Sequence, residues 1–199
     1  MGDRLGHIPR RFWGSAAYVA AALFLSWSAS AEEIHVEGSL QYAISRANAG
    51  DILKLGKRVY EGPLTINRSI QIIGGDGTVI QGDGRGSVIT VQAPNVTLTN
   101  LAVTGSGLSL ETQDSGIFLD KSATNTRIEG NRIFDNLIGV YVSGAKNSLV
   151  RNNHIVGRQD LRMNERGNGV QIWNAPGTVI EKNTIEHGRD GIFVTTSSK

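Results

Sequence analysis

The sequence returns on itself. Gly116-Ile117-Phe118-Leu119 recurs as Gly139-Val140-Tyr141-Val142, as Gly169-Val170-Gln171-Ile172 and as Gly191-Ile192-Phe193-Val194, at spacings of 23, 30 and 22 residues. A second element keeps step with the first: Ile128-Glu129-Gly130-Asn131-Arg132-Ile133, Val150-Arg151-Asn152-Asn153-His154-Ile155 and Ile180-Glu181-Lys182-Asn183-Thr184-Ile185. A period near 22 residues made only of short apolar runs specifies a solenoid, because no single turn can bury its apolar face without the next. The spacing of 30 marks one turn with an insertion.

Strand side chains alternate between faces. Ile117, Val140, Val170 and Ile192 therefore form one inward column, and Leu119, Val142, Ile172 and Val194 the next. Ile128, Val150 and Ile180 form a third column, and Ile133, Ile155 and Ile185 a fourth. Turns stacked about 4.8 Å apart bring like residues together. Outside, Glu129, Arg151 and Glu181 alternate in sign, which in-register stacking favours. Asn131, Asn153 and Asn183 share one position, where a side-chain amide can bond the bend and its neighbour along the axis. Leu101 holds that position one turn earlier, so the ladder is expected to start at Asn131. The pattern predicts an all-β, right-handed, single-stranded parallel β-helix. A leucine-rich repeat has a similar period, but Ile and Val outnumber Leu here and the repeats lack a helical segment.

One helix is predicted ahead of the repeats. Ser39 caps it, Leu40, Ala43, Ile44 and Ala47 follow at helical spacing, and Asn48-Ala49-Gly50-Asp51 ends it. Residues 1–31 read as a cleaved signal peptide: Arg10-Arg11, a mostly apolar run from Phe12 to Leu25, then Ala29-Ser30-Ala31 before Glu32-Glu33. The expected organisation is thus signal peptide 1–31 and one β-helix domain 32–199, with export to the periplasm. Arg4, Arg10, Arg11 and Asp3 fall in the signal, so the rest carries 17 basic and 17 acidic residues. That balance disfavours nucleic-acid binding. The sequence has no Cys, so stability rests on packing.

Candidate chemistry lies where the repeat is interrupted. Thr104–Ser115 and Gly157–Asn168 are long connections at one corner, and His187–Asp190 occupies the same corner without an insertion. They carry Glu111, Asp114, Asp160, Arg162, Met163, Glu165, Arg166, His187, Arg189 and Asp190. Alternation also sets Phe118, Tyr141, Gln171 and Phe193 in an outward row, beside Asp120, Ser143, Trp173 and Thr195. Exposed aromatics in a row suggest a platform for a sugar or a protein. No HExxH or CxxC spacing occurs, and Met163 with His187 is the one pair suited to a soft metal such as copper. Clustered carboxylates for sugar cleavage are not evident, and the Asp-Pro-His-Asp motif associated with alginate epimerases is absent.

The segments Ser106–Asp120, Arg162–Asn174 and Gly188–Val194 resemble the NosD family, periplasmic maturation proteins of nitrous oxide reductase. The resemblance runs from the helix at Ser39 to Lys199. It implies a non-enzymatic accessory protein that works with a membrane ABC transporter and nitrous oxide reductase in copper-centre assembly. It also implies copper handled transiently, no tightly bound cofactor, and a copper chaperone as a further partner. It supplies no ligand set. The contact candidates remain Asp160, Arg162, Glu165, Arg166, Trp173, Arg189, Asp190, Phe118, Tyr141 and Phe193. Family members continue through further turns past the point matching Lys199, so a fragment is expected. The alternative is a carbohydrate-binding or carbohydrate-cleaving β-helix.

Overall fold

The computed structural model describes Gly2 and residues 31–197. The predicted signal peptide (1–31) lies outside the described residues, Gly2 and Ala31 aside. The chain opens with β1 (Glu33–Val36) and α1 (Leu40–Arg46), then winds through successive coils of three short strands. The first coils are β2 (Ile52–Leu55), β3 (Val59–Glu61) and β4 (Leu64–Ile66), then β5 (Gln71–Gly74), β6 (Val79–Gln81) and β7 (Ile89–Val91). Next come β8 (Thr97–Thr99), β9 (Ala102–Thr104) and β10 (Ser115–Leu119), then β11 (Arg127–Glu129), β12 (Arg132–Asn136) and β13 (Ile138–Ser143). The last coils are β14 (Leu149–Arg151), β15 (His154–Gly157) and β16 (Val170–Trp173), then β17 (Val179–Glu181), β18 (Thr184–Glu186) and β19 (Ile192–Thr195). Each coil gives one strand to each of three sheets: β1-β2-β5-β8-β11-β14-β17, β3-β6-β9-β12-β15-β18 and β4-β7-β10-β13-β16-β19. Every pairing is parallel, as expected of a β-helix.

The predicted columns form in register. Ile117 pairs with Val140, Val140 with Val170, and Val170 with Ile192. Ile128, Val150 and Ile180 align in the first sheet, and Ile133, Ile155 and Ile185 in the second. The structure extends these columns backward to Leu53 and Ile72, to Tyr60 and Ile80, and to Leu64 and Ile89. Leu53, Leu64, Ile72, Ile80, Ile117, Ile128, Val140 and Val150 are all fully buried. Each such side chain contributes about 2 kcal/mol over leaving it in water. In the last coil Ile192 and Val194 point the same way but are 49% and 52% exposed, since no described coil covers them.

The opposite end is sealed. The Ser39 hydroxyl accepts from the Tyr42 N–H (3.3 Å), and α1 buries Leu40 and Ile44 over the first coil. Tyr60, at the head of its column, donates its hydroxyl to the Val36 carbonyl (3.0 Å) and accepts from the Gly56 N–H (3.1 Å).

The asparagine ladder is complete. The Asn153 side-chain oxygen accepts from the backbone and side-chain amides of Asn131 (3.0 Å each), and Asn183 does the same for Asn153 (2.9 Å each). Its first rung is the Leu101 N–H donating to Asn131 Oδ1 (3.0 Å), as the sequence predicts. On the outer surface Arg151 joins Glu129 (2.8 Å) and Glu181 (3.5 Å). Burial works to raise the Glu129 carboxyl's pKa, but Arg151 and Arg127 outweigh it and hold that group below the usual carboxylate range.

Candidate functional site

The corner between the second and third sheets departs from the repeat. In the second coil it is Gly82–Val88, in the third Gly105–Asp114, in the fourth only Leu137, and in the fifth Arg158–Gly169. The first two segments are zipped by backbone bonds: Gly82 N–H to Thr104 O (2.8 Å), Gly84 N–H to Gly105 O (3.0 Å) and Gly107 N–H to Gly86 O (2.9 Å). Gly107 must be glycine, because a Cβ there would lie 2.1 Å from an Asp114 carboxylate oxygen. Asp114, 4% exposed, accepts from the Ser109 N–H (3.0 Å) and the Thr112 hydroxyl (2.6 Å), so it braces the loop rather than standing as a free acid. Between the two segments opens a cleft of 790 Å³ over Thr90 and Phe118.

The same loop corrects the reading of the outward row. Gln113, in the left-handed region (φ 58°), reaches across the fourth coil to the fifth, where its side-chain oxygen accepts from Gln171 (2.7 Å). Asn168 donates in turn to Gln171 Oε1 (2.9 Å). This arm crosses Tyr141, which is 9% exposed and meets the half-buried Phe118 edge-to-face with centroids 5.2 Å apart. Tyr141 is therefore a covered side chain and not part of an open platform. Phe193 (38% exposed) and Trp173 (45%) do stand clear. Alternation gave the row correctly. The loop that closes it left no periodic trace in the sequence.

The insertion of the fifth coil is a braced arm. Arg158 grips the Asp160 carboxylate with two bonds (2.9 and 2.5 Å), and this hydrogen bonding holds that carboxyl below the usual carboxylate range. A single 3₁₀ turn, Met163–Glu165, follows, its entry fixed by the Arg162 N–H donating to a Glu165 carboxylate oxygen (3.3 Å). Arg166 closes the arm onto three carbonyls: Leu161 (2.9 Å), Gln159 (3.3 Å) and His187 of the next coil (3.5 Å). The Arg189 N–H adds a bond to the Gly167 carbonyl (2.8 Å), and the Arg189 side chain meets its neighbour Asp190 (3.5 Å). Asp160 and Arg166 thus serve the arm's own shape, while Arg162, Met163 and Glu165 face solvent.

The structure brings Met163 and His187 to the same corner, both exposed. His187 has Glu186 at 3.9 Å, and the other oxygen of that carboxylate meets His154 Nε2 at 3.0 Å. Among the described residues no group of three or more His, Cys, Asp or Glu is placed to hold a metal ion. The glycines at 82, 84, 86, 105 and 107 are the residues that sequence reading passed over, and their alternate spacing was the available signal.

Fold and corner together define a class. Residues 87–199 match the family described as the right handed beta helix region, and the chain belongs to that family. Within it the chain is similar to NosD. It is 29% identical over 185 residues to the Pseudomonas aeruginosa protein named "Probable ABC transporter binding protein NosD", covering 93% of this chain and 42% of that one. It is 32% identical over 132 residues to the Stutzerimonas stutzeri protein of the same name, covering 66% of this chain and 30% of that one. The chain thus spans less than half the length of these relatives. Among solved structures, an alginate lyase from a Paenibacillus species superposes with a TM-score of 0.67 at 22% identity, over 83% of this chain and 65% of that one. A pectin methylesterase in complex with a hexasaccharide superposes with a TM-score of 0.53 at 15% identity, over 83% and 66%. These two likenesses concern the fold alone.

Proposed function

We propose that the chain acts as a NosD-like periplasmic accessory protein. It docks onto a membrane ABC transporter and assists assembly of the copper centres of nitrous oxide reductase, with copper as passing cargo and without covalent catalysis. The similarity to proteins named as ABC transporter binding proteins extends over 93% of the chain and supports this role. The signal-like residues 1–31 support a periplasmic site of action.

The observation that carries the reading is the braced arm. Arg166 and the Arg158–Asp160 pair hold Arg162, Met163 and Glu165 in one arrangement on the surface. A preorganised arm spares a partner the ordering cost of a floppy loop. Arg162 and Glu165 offer rim charges, and exposed Met163 an adaptable apolar contact. Three of the corner's acids are engaged within the protein: Asp114 with loop donors, Asp160 with Arg158 and Asp190 with Arg189.

Deleting the gene in a nitrous-oxide-respiring host tests the role. Nitrous oxide reductase purified from the deletion strain should be depleted in copper, with recovery on reintroducing the gene. A full copper complement in the deletion strain would refute the proposal.

A further inference from the structure

We propose that the corner between the third and first sheets is a membrane-facing edge that binds the anionic headgroups of phospholipids. The inference goes beyond the docking role and does not use the fifth-coil arm, which stands at the opposite end of the third-sheet strands.

Charge is segregated at this corner. Beyond residue 31 the chain carries 17 basic and 17 acidic residues, so no net charge draws it to an anion. Yet Arg68 lies in the first coil's turn from β4 to β5, Lys121 in the third coil's turn from β10 to β11, and Lys146 in the fourth coil's turn from β13 to β14. Arg46, in the last turn of α1, adjoins them, because the Arg68 guanidinium donates to the Ser45 carbonyl (3.1 Å). Lys121 lies over Gly144, where an added Cβ would come within 3.0 Å of the Lys121 Cβ. Coils stack about 4.8 Å apart, so the edge from Arg68 to Lys146 spans about 14 Å. All four cations are exposed, and none forms an ion pair among the described residues. On the neighbouring first-sheet face, by contrast, Lys54, Arg127 and Arg151 each meet a glutamate. The turns that carry the stripe hold one acid, the half-buried Asp120. Asp51, where α1 leads into β2, is buried on the Glu32 and Asn48 amides.

The rest of the corner decides the kind of partner. Asn95, Asn125 and Asn147 recur there in the left-handed conformation, and the Asn125 amide donates to Asn95 Oδ1 (3.2 Å). Among the described residues these turns expose no large apolar side chain, so they lack the apolar centre that a protein interface buries. Tyr42, 68% exposed, stands one helical turn before Arg46 on the same face of α1. A phenol beside guanidiniums suits the boundary between headgroups and acyl chains. Cations on flexible stems along an edge match a surface that sums charge rather than reads position. An anionic bilayer is such a surface, and each Lys or Arg near it raises partitioning about fivefold.

Co-sedimentation tests this, using protein recovered from the periplasm with vesicles of equimolar phosphatidylcholine and phosphatidylglycerol, and with vesicles of phosphatidylcholine alone. Binding should require the anionic lipid and fall steeply as salt is raised, since screening shortens the reach of each charge. Lys121→Gln combined with Lys146→Gln should lower partitioning about 25-fold. Lys121→Arg combined with Lys146→Arg should retain it, and Lys54→Gln, on the first-sheet face, should leave it unchanged. These side chains lie on the surface, so thermal unfolding should stay the same in every variant. Equal sedimentation with neutral vesicles, full binding by the double glutamine variant, or an equal loss in Lys54→Gln would overturn the proposal. Retention on a polyglutamate resin without vesicle binding would also overturn it, by assigning the corner to an acidic protein. The copper content of the reductase is read separately, so either idea can fail alone.

Discussion

Asn153 shows what one side chain does in a stacked fold. It is 2% exposed, it accepts two bonds from Asn131, and it donates to Ile128 and Asn183. Removing it strands several buried groups at once. Asn153→Ala should therefore lower stability by about 3 kcal/mol in denaturant unfolding. The ladder was legible in the sequence because one residue type recurs at one repeat position. Glu129 makes a second residue-level prediction. Its carboxyl binds a proton less readily when folded, so its contribution is present above the unfolded value and lost as pH falls through the folded one. Glu129→Gln should flatten the acid limb of a stability-versus-pH curve measured between neutral pH and pH about 3, and an unchanged limb would show the Arg151 row to be inert. The role of Gln113 was not legible, since an arm bridging 58 residues of sequence has no local signature.

Among elements, the strands of the third sheet are packed tightly at their leading glycines. A Cβ at Gly139 would lie 2.4 Å from the Gly169 carbonyl and 2.4 Å from an Ile155 methyl. Gly139→Ala should cost about 2 kcal/mol through overpacking, read as a lowered unfolding midpoint. The repeated glycine tetrads gave these strands away. The earliest coils were harder to read, because Leu53, Ile72 and Leu98 share a column but lie at unequal spacings, where turns of different length break the period. The outward aromatic row was predicted from alternation alone, which sets direction but not cover. That is why Tyr141 was expected in the open and is found beneath a loop. The insertion was visible as an interruption, yet its division into bracing residues (Asp160, Arg166) and presented ones (Arg162, Met163, Glu165) depends on carbonyl positions that no residue pattern encodes.

At the scale of the molecule, a regular stack carries irregular corners, and the two have different jobs. The columns from Leu53 to Val170 supply the rigidity, and the corners alter what that rigid body presents. On this account the fifth-coil arm is where the transporter is engaged. The most direct measurement is the copper content of nitrous oxide reductase from a deletion host complemented with the protein in which Arg162 and Met163 are both replaced by serine. Those side chains are exposed, so the fold should persist, which circular dichroism and unchanged thermal unfolding would verify. The expected result is a folded, exported protein that leaves the reductase depleted in copper. A reductase with its full copper content would contradict it.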